Sequence, residues 1–372
     1  MERTSGRAAV PSWVIFWTGK RGSASHMTEE ISITQFLARS ATIPVIDVRS
    51  PSEYSRGHIP GAVNIPLFDD HERKVVGTQY KKVNRETATL SALEFAGKKL
   101  ASMARDGQKI AGSRKELLLH CWRGGMRSKS MAWLFETLGL TCFVLEGGYR
   151  AYRRHLREAL KNPLRLNVIG GRTGSGKTEL LHYLRQEGAQ VVDLEGLANH
   201  KGSAFGSLGE AGQPTTEQFE NDLHRQLSQL DPAGEIWIED ESRNIGRCVI
   251  PEEIYSQMLE SEVLFLDIPR EERARHIVTH YASYDPEQLR SCILKIERKL
   301  GGDRTRDALD FLERKDFFSA VMITLQYYDK SYLYSLEKNH GKYRMIPSDR
   351  VDPVKNAVRI HQYLQTAHDD LA

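Results

Sequence analysis

Short apolar runs alternate with amphipathic stretches along most of the chain. Runs such as 116–120 and 235–239 are bounded by charged residues, Gly or Pro, which is typical of strands covered on both faces. Amphipathic segments follow several of them, as in the stretch with Met131, Leu134 and Leu138. Alternating strands and helices form parallel sheets, so the pattern predicts an α/β protein. The strand candidates are 42–48, 116–120, 141–145, 164–169, 190–194, 235–239, 262–267 and 342–346.

A change of pattern near 155–163 predicts two domains. Pro163 prevents the helix predicted over 149–161 from continuing, and a second strand–helix series begins directly after it. Charged stretches at about 85–106 and 303–338 are predicted to be helical. The expected units are an α/β domain at 28–148, a connecting basic helix at 149–162 and a second α/β domain at 163–372 with a helical C-terminal part.

Residues 1–27 fit neither domain and are expected to be a disordered extension. The apolar run 13–17 is too short for the core of a signal peptide, and no run is long enough to span a bilayer. Met27 begins a sequence of more ordinary composition, so translation starting upstream of it would explain the extension. The sequence therefore predicts a cytoplasmic protein without a membrane partner.

Composition narrows the class of protein. The 372 residues are 40% hydrophobic and 27% charged, which suffices for two folded cores. The net charge is only +3, so binding to nucleic acid would need a local patch. The four cysteines are widely separated and form no Cys-x-x-Cys pair, which argues against disulfides and zinc. Free thiols in a reducing cytoplasm are expected.

Cys121 has the surroundings of a nucleophile. It follows a predicted strand and precedes a helix, so loop amides and the helix N-terminus would lower the pKa of its thiol. Gly124 and Gly125 let the backbone curl around the sulfur, and Arg123 and Arg127 add positive charge. The loop is therefore a candidate catalytic site that would hold a persulfide or selenopersulfide. The other cysteines lack such neighbours and are predicted to be core residues.

Residues 171–178 read G-x-x-x-x-G-K-[ST] between a strand and a helix, which predicts a phosphate-binding P-loop. Its amides would surround phosphate oxygens, its lysine would add charge, and its threonine could bind Mg²⁺. A nucleotide and a diphosphate ester satisfy the same loop. The predicted ligand-binding residues are Gly171, Gly174, Ser175, Gly176, Lys177 and Thr178.

The segment 235–241 is apolar and then acidic, as in a Walker B strand. Asp240 is the first candidate for a second Mg²⁺ contact beside Thr178, and Glu239 is the other. An ordinary strand end with solvated acids is an equally good interpretation at this stage.

Several cations are candidates for contact with RNA. Arg150, Arg154, Arg157 and Lys161 recur at helical spacing, with two tyrosines nearby. Arginine and tyrosine together suit phosphate contact and base stacking, although a solvated helix face would give the same pattern.

Two further segments add cations beside the phosphate loop. The Gly/Ser-rich segment 193–206 is predicted to be a mobile binding loop, with His200 and Lys201 as candidate contacts. Arg243 follows the acidic strand and could reach a phosphate. The tyrosine pair within 327–330 is predicted to pack between domains.

The N-terminal half resembles the rhodanese (sulfurtransferase) domain. The resemblance rests on 47–49 (DVR), 57–62 (GHIPGA) and the Cys121 loop. It implies that Cys121 carries the transferred chalcogen. Asp47 and Arg49 are interpreted as structural braces, and His58 as either a site or a turn residue.

The two halves together resemble the tRNA 2-selenouridine synthase family over 28–372. The segments that carry this resemblance are the Cys121 loop, 146–150, 171–178, 193–206 and 239–246. It implies a rhodanese-like α/β domain joined to a P-loop NTPase-like α/β domain. It also implies a tRNA substrate with 2-thiouridine at the wobble position 34, no tightly bound cofactor, and a selenophosphate-producing enzyme as a partner.

The family resemblance further implies two reactions. Geranyl diphosphate first alkylates the sulfur, and selenium from selenophosphate then displaces the geranylthiol. One alternative is a rhodanese-type sulfurtransferase with a regulatory nucleotide-binding P-loop domain. A nucleotide-dependent kinase or ATPase and a non-catalytic tRNA-binding protein are the others.

Overall fold

Two parallel β-sheets of five strands each organise the structure, a computed structural model. It describes residues 28–203, 205–206, 208–281, 284–339 and 342–369. The predicted extension at 1–27 lies outside the described residues. All the strands within each sheet are parallel, so the predicted α/β class is confirmed.

The first sheet comes from the N-terminal half. Its strands are β1 (Glu29–Ile31), β2 (Val45–Asp47), β3 (Val63–Asn64), β4 (Glu116–His120) and β5 (Thr141–Leu145). Their spatial order is β1-β5-β4-β2-β3, so β4 lies at the centre. Leu117, Leu118 and Leu119 of β4 are completely buried, as expected of a strand covered on both faces. Cys121 therefore leaves the sheet at the carboxyl end of its central strand.

The second sheet comes from the C-terminal half, and a short antiparallel hairpin accompanies it. The elements are β6 (Arg165–Gly171), β7 (Gln190–Val192), β8 (Glu235–Glu239), the hairpin β9 (Asn244–Ile245) and β10 (Cys248–Val249), β11 (Val263–Asp267) and β12 (Tyr343–Pro347). The order in the sheet is β12-β11-β6-β8-β7. The carboxyl ends of β6, β8 and β7 are therefore neighbours, which is where ligands bind in open α/β sheets.

Helices cover both sheets. The described helices are α1 (Ile33–Ser40), α2 (Pro51–Arg56), α3 (Asp70–Lys82), α4 (Arg85–Gly97), α5 (Leu100–Ala111), α6 (Met126–Glu136), α7 (Gly148–Ala159), α8 (Lys177–Gln186), α9 (Leu194–Ala198), α10 (Thr216–Leu227), α11 (Glu252–Glu260), α12 (Arg270–Tyr281), α13 (Pro286–Lys295), α14 (Glu297–Leu300), α15 (Gly302–Glu313), α16 (Phe317–Asn339) and α17 (Pro353–Asp369).

The structure differs from the sequence prediction mainly at helix breaks. The stretch predicted at 85–106 forms two helices, α4 and α5, and the stretch at 303–338 forms α15 and α16. Lys315 takes a positive φ of 60° between the latter two, which ends α15. The sequence prediction missed β1 and α3, because β1 is only three residues long and α3 has no buried residue.

The helix α7 joins the two halves by its buried face. Tyr149 and Tyr152 are 0% and 1% exposed and belong to a hydrophobic cluster with residues of both sheets. Arg153 donates a 2.6 Å hydrogen bond to Asn221 of α10, and the Asn221 amide donates to the backbone oxygen of His58 at 2.8 Å. The prediction that these tyrosines stack on RNA bases is therefore wrong, because both rings are needed in the core.

Candidate functional site

The loop after β4 aims hydrogen-bond donors at the Cys121 sulfur. Ser128 Oγ lies 3.3 Å from Sγ, and the backbone amides of Arg123 and Ser128 also point at it. Burial alone would raise the pKa of the thiol, but Ser128, Arg127 and these amides outweigh it and lower the pKa below its ordinary value. A thiolate at this position is therefore stabilised by the protein.

The first turn of α7 forms backbone hydrogen bonds to the cysteine loop. Tyr149 N–H donates to the carbonyl oxygen of Cys121 at 2.8 Å, and Arg150 N–H donates to that of Trp122 at 3.1 Å. At Gly124 (φ +65°) a Cβ would collide with the Leu145 carbonyl oxygen, and at Gly148 (φ +60°) it would collide with that of Cys121. The glycines at 124 and 148 are thus required by close backbone contact.

The remaining residues predicted at this loop differ in their surroundings. Arg127 is half-buried and forms a 2.6 Å ion pair with Glu53, while Arg123 is exposed. Glu53 also accepts a hydrogen bond from Ser50 N–H, so the predicted capping box of α2 is present. Gly125 lies at the start of α6, and a Cβ there would meet no atom within 4 Å.

Asp47 and Arg49, interpreted as structural braces, form a completely buried salt bridge with 2.6 Å between Asp47 Oδ2 and Arg49 Nη2. The Arg49 guanidinium also lies 3.9 Å from the centre of the Tyr149 ring and donates to the Gly57 carbonyl oxygen. These contacts connect β2 to the turn below the cysteine loop. His58 stacks on Tyr54 at 3.9 Å, which is a structural position in a turn.

The P-loop connects β6 to α8, in the strand–loop–helix setting that the motif requires. Lys177 Nζ donates to the Gly171 carbonyl oxygen at 3.2 Å, so the lysine side chain folds back over the loop. Ser175 is buried, and its hydroxyl has no partner among the described residues. Gly174 and Gly176 line the same cavity as these three residues.

Buried carboxylates face the P-loop from β7 and β8. Thr178 Oγ1 donates to Glu195 Oε2 at 2.8 Å, and Glu195 N–H donates to Glu239 Oε1 at 2.7 Å. Burial, Asp193 and Glu195 raise the pKa of Glu239 to about 8, and burial with Glu195 raises that of Glu241 well above its usual range. Glu239 Oε2 has no hydrogen-bond partner among the described residues.

Lys177 is the cation placed among these acids. Burial lowers the pKa of its ammonium group, but Glu241, Glu195 and the other neighbouring carboxyl groups outweigh it and raise the pKa. Lys177 Nζ lies 3.9 Å from Glu241 Oε1. Several carboxyl groups against one ammonium leave a negative balance, which a bound cation or retained protons would offset.

Asp240, the first Walker B candidate, lies beside the P-loop and lines the same cavity as Thr178. Its carboxylate accepts a hydrogen bond from the Tyr332 hydroxyl, whose oxygen accepts from Gly171 N–H at 3.2 Å. Glu195 is the carboxylate that accepts the hydrogen bond from Thr178. The signal in the sequence that could have found it is its place three residues after the end of β7, because the carboxyl ends of parallel strands meet at one edge of a sheet.

A cavity of about 780 Å³ opens at the P-loop. One end is lined by P-loop residues and by Glu195, Asp240 and Glu241. The apolar end comprises the side chains Ile277, Leu289, Ile293, Leu312, Phe317, Val321 and Leu325 of helices α12, α13, α15 and α16, and these helices also contribute the polar side chains Lys295 and Thr324 to the lining. Tyr327 and Tyr328 also line it, and their packing between domains stays a prediction. No local sequence pattern indicated this cavity.

Comparison with known proteins identifies the family. A family model described as the tRNA 2-selenouridine synthase AAA domain matches residues 164–365, and a rhodanese-like domain model matches 32–155. A tRNA 2-selenouridine synthase of Bdellovibrio bacteriovorus is 34% identical over 350 residues, covering 80% of this chain and 90% of that protein. The chain belongs to the tRNA 2-selenouridine synthase family. The relative from Aeromonas salmonicida is also 34% identical, covering 82% of this chain and 91% of its own length.

Membership of the tRNA 2-selenouridine synthase family confirms the predicted combination of a rhodanese-like domain with a P-loop domain. The Cys121 loop and the P-loop both lie within the matched residues. Among the described helices, none has the length and apolar character needed to cross a lipid bilayer.

The cations predicted to contact RNA in this family member lie on the surface. Arg150, Arg154, Arg157 and Lys161 are exposed on or just after α7, on the side opposite its buried tyrosines. Lys161 forms an exposed ion pair with Glu158 at 2.9 Å. RNA binding by this face stays a prediction.

The other three predicted RNA contacts are dispersed. Lys201 pairs with Glu210 at 3.0 Å and lines the P-loop cavity. Arg243 pairs with Glu252 at 2.7 Å. His200 is half-buried, and burial lowers the pKa of its imidazole. Ala204 of the predicted mobile loop lies outside the described residues.

Proposed function

We propose that this chain is a tRNA 2-selenouridine synthase that exchanges sulfur for selenium on wobble-position 2-thiouridine. The observation that carries the proposal is the pairing, in one chain of this family, of a stabilised thiolate with a phosphate loop that opens into an apolar cavity. A nucleotide would not need the apolar end of that cavity, whereas a prenyl diphosphate would use both ends.

In the proposed first step, geranyl diphosphate binds with its diphosphate on the P-loop and its chain against the side chains of α13, α15 and α16. The 2-thiouridine sulfur attacks C1 of the geranyl group, the C1–O bond breaks, and diphosphate leaves. The loop amides and Lys177 would stabilise the charge on the leaving diphosphate. The sulfur thereby becomes a thioether, which leaves more easily than a thiocarbonyl sulfur.

In the proposed second step, the selenium of selenophosphate forms a bond to C2 while the C2–S bond breaks and geranylthiol leaves; water then cleaves the P–Se bond, which releases phosphate and leaves 2-selenouridine. We assign the handling of selenium to Cys121, whose surrounding amides would stabilise an anion carried on its sulfur. Arg123 and Arg127 would add positive charge at the same loop, although Glu53 already neutralises part of the charge of Arg127.

The residues around Thr178 fit Mg²⁺, and we propose that it binds there with the diphosphate. Thr178 Oγ1 and the Glu195 carboxylate supply the oxygen ligands that Mg²⁺ prefers, and the unpartnered Glu239 oxygen lies in the same cluster. A bound Mg²⁺ would neutralise charge on the diphosphate. Asp240 would instead hold Tyr332 against the first turn of the P-loop.

The cavity gives a direct test that needs no mutation. Binding of inorganic, dimethylallyl and geranyl diphosphate to the full chain should tighten in that order. Each buried CH₂ contributes about 0.8 kcal/mol, so the five additional carbons of geranyl diphosphate should give at least about a hundredfold tighter binding than dimethylallyl diphosphate. Equal affinities would show that the apolar end of the cavity does not bind the prenyl chain.

The overall reaction is tested in cells that lack this chain. Mass spectrometry of wobble nucleosides should show 2-thiouridine without 2-selenouridine, and the wild-type chain should restore the latter. In vitro, selenophosphate should support the exchange and thiosulfate should not. Transfer of sulfur from thiosulfate would instead favour the sulfurtransferase alternative.

A further inference from the structure

Three side chains outside the proposed chemistry converge at the edge of the P-loop cavity. Glu179 lies in the first turn of α8, and His276 and His280 lie one turn apart on α12. His276 Nε2 is 3.3 Å and His280 Nε2 is 3.7 Å from Glu179 Oε1, and one ligand atom from each residue lies within 4.8 Å of the others. All three residues line the cavity.

These separations match the distances between neighbouring ligand atoms around a bound metal ion. With metal–ligand bonds of about 2.0–2.1 Å, two ligand atoms of a tetrahedral zinc site lie about 3.3 Å apart. The 3.7 Å distance from His280 exceeds hydrogen-bond range, whereas the 3.3 Å distance from His276 fits either a long hydrogen bond or the separation of two metal ligands. Two imidazoles separated by four residues on a helix, with a carboxylate from another helix, form a common ligand set for Zn²⁺.

The tautomer of His280 adds an independent argument. Its Nδ1 lies 2.9 Å from the backbone carbonyl oxygen of His276, and a carbonyl oxygen can only accept, so Nδ1 is the donor. In the neutral ring, Nε2 then directs a lone pair toward the Glu179 carboxylate. Two electron-rich atoms facing each other are stabilised by a positive charge between them, which a metal ion or a proton on Nε2 would supply. Backbone-held Nδ1–H is also the arrangement that orients histidines for metal binding through Nε2.

We propose that Glu179, His276 and His280 bind one divalent transition-metal ion of the Zn²⁺ type, with its open coordination position toward the P-loop cavity. The nearby ammonium group of Lys201 does not compete for the carboxylate, because it pairs with Glu210 at 3.0 Å. The site differs from the Mg²⁺ position at Thr178, where the ligands are oxygens. It does not depend on the proposed tRNA chemistry.

Co²⁺ titration of the full-length, chelator-treated protein tests the proposal. We expect one Co²⁺ per chain with the visible absorption of a low-coordinate nitrogen and oxygen site, and displacement of this signal by Zn²⁺. The double variant His276→Gln/His280→Gln should bind Co²⁺ at least about tenfold more weakly. Glu179→Gln, which keeps the side-chain size, should also weaken binding and serves if the double variant fails to fold.

The matched control is His71→Gln/His361→Gln, which removes two exposed helical histidines and should leave Co²⁺ binding unchanged. Absence of stoichiometric binding by the wild type would overturn the proposal, because a Glu–His ion pair would then explain the cluster. Loss of the signal in Cys121→Ser with retention in Glu179→Gln would also overturn it, since the ion would then be bound by the thiolate.

Discussion

The cysteine loop and the P-loop can both bind an anion through backbone amides, but the two sites differ in the side chains that balance the charge of that anion. Around Cys121, amides, a hydroxyl and Arg127 outweigh the cost of burial, so the pKa of the thiol is lowered by the protein itself. Around Lys177, buried carboxyl groups outnumber the cation and the pKa of Glu239 rises to about 8. The first site stabilises its own anion, whereas carboxyl groups of the second site hold protons unless a cation binds there.

The difference fits two kinds of chemistry. A nucleophilic sulfur must be ready as a thiolate before its partner arrives, and a rigid loop with fixed donors achieves this. A diphosphate brings several negative charges, so acids beside its cradle are tolerable only with a cation or with retained protons. The P-loop site therefore depends on what binds there, while the cysteine site depends on the fold.

The largest effect is expected at the reactive sulfur. Cys121→Ser should reduce selenium incorporation at least about a thousandfold, because the alcohol is not ionised at neutral pH, while geranylated tRNA remains detectable. The readout is nucleoside mass spectrometry. Cys142→Ser is the control, since burial raises the pKa of that thiol to about 12 and it lies in the core of the same sheet. Persistent selenation in Cys121→Ser would refute the role of Cys121.

Removal of the P-loop cation should have the next largest effect. Lys177→Ala should lower kcat/KM for geranyl diphosphate by about a hundredfold, because a charge next to the leaving diphosphate is lost. Steady-state kinetics on the isolated first step measures it. Lys355→Ala, an exposed lysine on α17, should behave as wild type. An unchanged rate in Lys177→Ala would exclude the P-loop from the alkylation.

The support under the cysteine loop is tested by glycine substitution. Gly148→Ala should cost about 2 kcal/mol in the free energy of unfolding, because the residue has φ +60° and its Cβ would collide with the Cys121 carbonyl oxygen. Urea denaturation measures this change. Gly125→Ala, in the same loop but with φ −100° and an open environment, should change stability by no more than about 1 kcal/mol. Equal losses of stability in both variants would contradict a special requirement for glycine at position 148.

The smallest effect is expected in the pH dependence of stability. The folded pKa of Glu239 is about 8 against an ordinary value of 4.5, so the folded state holds a proton that the unfolded chain releases. The stability that this bound proton contributes is fully present below the pKa of Glu239 in the unfolded chain. It is lost as the pH rises through the pKa of Glu239 in the folded state. Without divalent cations, wild type should lose more stability than Glu239→Gln between about pH 5 and about pH 9. Parallel losses in thermal unfolding would contradict the raised pKa.

The sequence determined the fold class, the positions of the cysteine loop and the P-loop, and several strand bounds. The strands at 116–120, 141–145 and 235–239 were predicted at the residues where they occur, because continuous apolar runs between breakers are local signals. The cysteine loop and the P-loop were also found, since each is a contiguous motif whose chemistry depends on neighbouring residues. The buried Asp47–Arg49 pair was anticipated from two residues in one short segment.

Only the tertiary structure decided which distant side chains share a site. Glu195 reaches Thr178 because the carboxyl ends of β6, β8 and β7 lie along one edge of the sheet, and this strand order is not encoded in any local pattern. The apolar end of the cavity is built from helices within 270–339 that the fold brings back to the P-loop at 171–178, and the cluster of Glu179, His276 and His280 joins residues about a hundred positions apart. Local periodicity shows that a side chain is apolar or polar, but its partner depends on the packing of the whole chain, as the burial of Tyr149 and Tyr152 illustrates.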